Sequence, residues 1–147
     1  MNNTKIENIT ENSLGKLYNS KFLETISRLF KNKEAMNNRQ HQLSVIQQII
    51  ECSSQNFHIE EYFMLKISYP AYIAHEASHN QFTKKTLEIK DRLELHELVL
   101  SMEFFNIKNW LQNHILYEDK NFAIFFHKQA TSPLESQPLL PPSKICS

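Results

Sequence analysis

His75 and His79 stand four residues apart in YPAYIAHEASHNQF, residues 69–82. At that spacing an α-helix presents two imidazoles one turn above the other, a common way to offer two nitrogens to one metal ion. The chain has seven histidines, so a pair of surface or interface histidines is the competing interpretation. What the other segments direct to the same place separates the two. In WLQNHILYED, His114 lies among Trp110, Leu111 and Ile115, on the side expected to face a core. Asp119 follows it after about 140° of α-helical rotation, so the two are expected to straddle a cavity rather than stack. Glu60 falls between Phe57 and Met64, both core candidates. A carboxylate among such neighbours is costly unless a cation meets it. One ion receiving three neutral imidazoles and one or both carboxylates would answer all of these burial costs together.

The remaining titratable groups need no such role. Glu61 is expected on a solvated face, and His58 is turned away from the Glu60 direction. His41 begins a helix, His96 sits in a connection, and His127 ends a helix where a positive imidazole suits the dipole. Cys52 reads as a small core residue and Cys146 lies near the C-terminus; they form no Cys-X-X-Cys centre. There is no phosphate-cradling glycine loop and no nucleophile elbow, and HEASH (75–79) departs from the His-Glu-x-x-His pattern of zinc proteases in its surroundings. An enzyme with a defined organic substrate is the least supported reading, and no catalytic residue is assigned.

Helices must hold these side chains. Leu14, Leu17, Tyr18, Phe22, Ile26, Leu29 and Phe30 recur at the helical period and predict a first helix, A, over about 14–31. Leu43, Ile46, Ile49, Ile50, Phe57 and Met64 predict a second, B, ending near Ser68 because Pro70 follows. Pro70 suits the first turn of a third helix, C, which carries Ile73, Phe82 and Leu87 and lasts to about Lys90 or a little beyond. The fourth, D, is expected from about Leu98 to Phe126, with DRLELHELVL assigned to no single element. The sole glycine, Gly15, speaks against sheets and tight turns. The expected fold is all-α, an antiparallel up-and-down four-helix bundle over residues 14–129. Residues 1–13 read as a polar arm and 130–147, with four prolines, as an irregular tail.

Lysine plus arginine and aspartate plus glutamate each total 16, so a nucleic-acid partner is not expected. No apolar run suits a membrane span, the N-terminus lacks a signal-peptide stretch, and two cysteines do not make a disulfide framework. A cytoplasmic setting without membrane or nucleic acid is the expectation.

The segments NFHIEEYFMLKISYPAYIAHEASHNQF and FFNIKNWLQNHILYEDKNF resemble the central and C-terminal parts of hemerythrins, bacteriohemerythrins in particular, over about residues 14–127. The resemblance implies a four-helix bundle around a non-haem di-iron centre. It implies that His75, His79 and His114 bind one iron, that Glu60 and Asp119 bridge it to a second, and that dioxygen binds at the second. The two further histidines that the second iron takes in the family fall here at Asn56 and at or near Asn19. The weaker carbonyl ligand of asparagine leaves that half incomplete. The expectation is therefore an iron-binding, hemerythrin-like protein holding one ion more readily than two, with oxygen binding or sensing as the implied role. A mononuclear iron or zinc protein used in metal handling or sensing is one alternative. A metal-free helical interaction module is another.

Overall fold

The structure is a computed structural model that describes residues 22–130. The expected arm (1–13), the first part of helix A, Asn19 and the proline-rich tail beyond Ala130 lie outside the described residues. Every regular element among the described residues is helical, consistent with a helical bundle. Helix α1 covers residues 22–29. After a short 3-10 turn, Ala35–Asn37, come α2 (Arg39–Lys66) and α3 (Tyr72–Glu94). The last run is α4 (Ser101–His114), a π-helical turn (Ile115–Asp119) and α5 (Lys120–Ala130) without a break. None of these helices is long and apolar enough to cross a membrane.

One apolar core joins the first four helices. Phe22, Ile26 and Phe30 meet Val45, Ile46, Ile49 and Phe57 of α2, Phe82, Ile89 and Leu93 of α3, and Phe104, Ile107 and Leu111 of α4. A second, aromatic group lies nearer α5, where Phe63 meets Phe126 at 5.8 Å and Tyr69 meets Phe122 and Phe125, each at 5.2 Å between ring centres.

The helix ends explain where the periodic reading slipped. Asn38 starts α2, its side chain accepting from the His41 N–H at 3.1 Å, the capping role expected of an asparagine there. At the other end Ser68 takes a left-handed φ of 55°, while Tyr69 N–H donates to Met64 C=O at 2.9 Å and Ser68 N–H to Leu65 C=O at 3.3 Å. These bonds make a Schellman cap. The chain then needs Tyr69, Pro70 and Ala71 to turn, so Pro70 precedes α3 instead of opening its first turn. The same cap closes α3 at His96 (φ 59°), with Glu97 N–H to Arg92 C=O at 2.9 Å and His96 N–H to Leu93 C=O at 3.2 Å. Helix α3 therefore outlasts Lys90 and ends at Glu94, because Leu93, 1 % exposed, continues its inward stripe. Helix α4 begins at Ser101, not Leu98. The backbone before it is extended, held by Gln42 Nε2 donating to Val99 C=O (3.1 Å) and Arg92 Nη2 donating to Leu98 C=O (2.6 Å).

Helix α3 overturns one more expectation. Ile73 and Leu87 face outward, at 78 % and 43 % exposure, while the buried stripe is His75, His79, Phe82, Thr86, Ile89 and Leu93. At its N-terminal half the polar residues point in, an inversion of the usual amphipathic order that an interior polar site would account for.

Candidate metal centre

Three helical segments aim side chains at one buried point. Glu60 comes from the last two turns of α2, and His75 and His79 from successive turns of α3. His114 ends α4, and Asp119 closes the π turn. In a uniform α-helix the last two would diverge by about 140°. The wider π turn takes up the extra residue and brings Asp119 back under the histidine, so His114 Nε2 and Asp119 Oδ1 are 3.0 Å apart. The expected straddling arrangement gives way to direct contact.

The inner atoms form a tight set. His75 Nε2 is 3.2 Å from Asp119 Oδ1 and 3.5 Å from Glu60 Oε2; His79 Nε2 is 3.2 Å from Glu60 Oε2 and 2.9 Å from His114 Nε2. One donor atom from each of the five residues lies within 4.8 Å of all the others. Glu60 Oε2, His75 Nε2 and Asp119 Oδ1 are buried and have no hydrogen-bond partner among the described residues. Burial presses the His75 imidazole toward its neutral form, but the carboxylates of Asp119 and Glu60 beside its Nε2 outweigh it and raise its pKa to about 9. His114 is raised against the same burial penalty by Asp119. Burial pushes Asp119 upward, and the His114 and His75 imidazoles beside it more than reverse this, leaving it below the usual carboxylate range. Two acidic groups thus draw positive charge into a buried pocket.

Aromatic rings wall the pocket. Phe57 stacks on His79 with ring centres 3.8 Å apart and planes within 8°, and Trp110 stacks on His114 at 4.7 Å and 12°. The outer nitrogens are also engaged. His79 Nδ1 is 2.8 Å from Glu61 Oε1, and His114 Nδ1 is 3.3 Å from Glu118 Oε1 and 3.4 Å from Ser78 Oγ. Glu61 therefore does not occupy a purely solvated face, as its sequence position had suggested; one helical step from Glu60 carries it to the far edge of the same imidazole. Ser78 and Glu118 had no sequence signal beyond their neighbours His79 and Asp119.

All five residues singled out in the sequence, Glu60, His75, His79, His114 and Asp119, come together. Asn56 is buried one turn before Glu60, and its Nδ2 donates to the Cys52 carbonyl at 2.8 Å. His58 and His96 are exposed, and neither joins the cluster.

No family model matches the chain, and no solved structure matches it. It is 29 % identical over 79 residues to a bacteriohemerythrin of Stenotrophomonas maltophilia (strain R551-3), a stretch covering 54 % of this chain and 52 % of that protein. The chain thus spans about half the length of the curated relative it matches. This weak similarity and the buried cluster of three histidines, a glutamate and an aspartate fit a metal-binding, hemerythrin-like protein.

Proposed function

We propose that the chain is a hemerythrin-like iron protein in which His75, His79, His114, Glu60 and Asp119 hold the ion. The observation that carries this reading is the convergence of five donor atoms, three of them buried without a hydrogen-bond partner among the described residues. A cation at their centre would relieve those three atoms at once. Three imidazole nitrogens and two carboxylate oxygens suit ferrous iron or zinc better than magnesium or calcium, which prefer oxygen alone. The likeness to a bacteriohemerythrin favours iron. A ferrous ion would supply the reducing electrons for dioxygen binding or sensing; the chain's own part is to hold the ion and, through Phe57 and Trp110, to keep water from it.

The proposed content is one tightly held ion and an incomplete di-iron site. Its support is Asn56, which brings an amide already bonded to the Cys52 carbonyl where an imidazole is expected in a complete site. The proposed topology is an antiparallel up-and-down bundle, supported by the short connections at 67–71 and 95–100 between successive long helices. A zinc or iron protein used in metal handling is the second reading, favoured by the same Asn56 contact. Anaerobic reconstitution of the full chain with ferrous ion, followed by the metal-to-protein ratio and the optical spectrum in air, tests both. About one iron per chain with a spectral change on exposure to oxygen is expected. A chain that takes up neither iron nor zinc would refute the site.

A further inference from the structure

Two pairs of consecutive acidic residues flank the site, Glu60–Glu61 on α2 and Glu118–Asp119 in the π turn. Each pair closes on one imidazole from both edges. His79 has Glu60 Oε2 3.2 Å from Nε2 and Glu61 Oε1 2.8 Å from Nδ1. His114 has Asp119 Oδ1 3.0 Å from Nε2 and Glu118 Oε1 3.3 Å from Nδ1. The inner member of each pair is the more buried, at 14 % against 24 % on α2 and 4 % against 42 % in the π turn.

We propose that Glu61 and the Ser78–Glu118 pair are positioning residues that hold His79 and His114 in the Nδ1–H tautomer, so that both Nε2 lone pairs face the metal. This rests on the metal-site reading above. An ionised carboxylate can only accept, so the 2.8 Å contact of Glu61 with His79 is a hydrogen bond only if Nδ1 carries the proton. At His114 the argument takes one more step. Ser78 Oγ donates its single proton to Glu118 Oε1 at 3.1 Å, which leaves the hydroxyl able only to accept from His114 Nδ1. Both neighbours of that nitrogen are then acceptors, and Nδ1 must donate. Each inner nitrogen also faces a carboxylate, His79 Nε2 at Glu60 Oε2 (3.2 Å) and His114 Nε2 at Asp119 Oδ1 (3.0 Å), so without an ion both edges of each ring compete for the proton. An ion bound at the two Nε2 atoms, 2.9 Å apart, takes the inner lone pairs and leaves each ring's proton on Nδ1, where Glu61 and the Ser78–Glu118 pair accept it. The outer carboxylates also make each imidazole a stronger base toward that cation.

The test is zinc titration of the full-length chain, together with nitrogen-15 NMR of the histidine rings in the zinc-loaded form. Wild type should show Nδ1–H rings at His79 and His114. Glu61→Ala should remove the hydrogen-bond shift of the His79 Nδ1–H signal alone and weaken zinc binding by roughly tenfold to a hundredfold. Glu61→Gln, which keeps a carbonyl acceptor and the side-chain volume, should retain the tautomer and most of the affinity. Glu118→Ala should do to His114 what Glu61→Ala does to His79. An Nε2–H ring at His79 in the zinc-loaded wild type overturns the proposal, as does a Glu61→Ala chain with an unchanged Nδ1–H signal and affinity. A wild-type chain that binds no zinc overturns the metal reading itself, an outcome the titration tells apart from a loaded chain whose affinity ignores Glu61.

Discussion

Asp119 reaches His114 across a π turn: their Oδ1 and Nε2 atoms are 3.0 Å apart, although uniform α-helical winding would turn them away from each other. A π turn gives up regular backbone hydrogen bonding and tends to mark functional positions in helices. Here its effect is to deliver one histidine and one carboxylate to the same point from a single helix.

If that point holds metal, the ion must stabilise the folded chain by mass action, by about 2.7 kcal/mol at a free concentration a hundred times the dissociation constant. His79→Ala or His114→Ala should remove most of that increment. His58→Ala, an exposed histidine two residues from Glu60, should leave it unchanged. Thermal unfolding with ferrous ion, zinc and a chelator reads the difference. An equal metal-induced shift in wild type and His79→Ala would count against the site.

Acidity should act oppositely on the metal-free and metal-loaded forms. In the metal-free fold His75 is raised from 6.5 to about 9, so its proton stabilises that fold fully below pH 6.5 and the contribution is lost as pH rises through 9. Metal requires the neutral ring, so binding must expel this proton and weaken as pH falls. The unfolding midpoint of the metal-free chain should therefore gain from His75 on acidification over this window, while the increment due to metal shrinks. Paired melting curves across the window, with proton release measured during titration, check both signs.

Asn56→His supplies an imidazole one turn before Glu60. The substitution gives up the amide bond to the Cys52 carbonyl, a loss of about 1 kcal/mol, and should raise iron content above the wild-type ratio. Metal analysis after anaerobic loading decides it. A wild-type chain already carrying two firmly bound irons would make the substitution pointless and the one-ion reading wrong.

Ser68→Gly and His96→Gly should each stabilise the fold by about 0.5–1 kcal/mol. Both residues sit in the left-handed region, at φ 55° and 59°, where glycine avoids the Cβ clash at some cost in unfolded-state entropy. Urea unfolding of each variant measures the gain. No change at either position would mean that the native side chain makes compensating contacts.

Much of the site could be read from the chain because its residues keep helical intervals. The four-residue step from His75 to His79, and the position of Glu60 between Phe57 and Met64, give direction as well as identity. The contact between His114 and Asp119 was not legible, because periodicity assumes one uniform pitch and a π turn breaks it. Glu61 was misjudged for a related reason. A helical wheel separates neighbours by angle, but a wide imidazole spans that angle and touches both. Ile73 and Leu87 misled because hydrophobicity alone assigns a face, and here the inward face of α3 is occupied by polar ligand-type residues. The caps at Ser68 and His96 carried no glycine to announce them.

The polar cluster also divides the interior. On one side lies the aliphatic and aromatic core that includes Ile46, Ile49, Ile89 and Phe104; on the other, Phe63, Tyr69, Phe122 and Phe126. Cohesion across the divide falls to charged and hydrogen-bonded groups in the absence of an ion, so the two apolar regions need not open together. Amide exchange in α5 and the first turns of α3 would then run faster than in the segment around Ile89, and a bound cation would slow it toward the rate of the rest. Metal occupancy would set how far the molecule unfolds as one cooperative unit, making the breadth of its melting transition a gauge of its metal state.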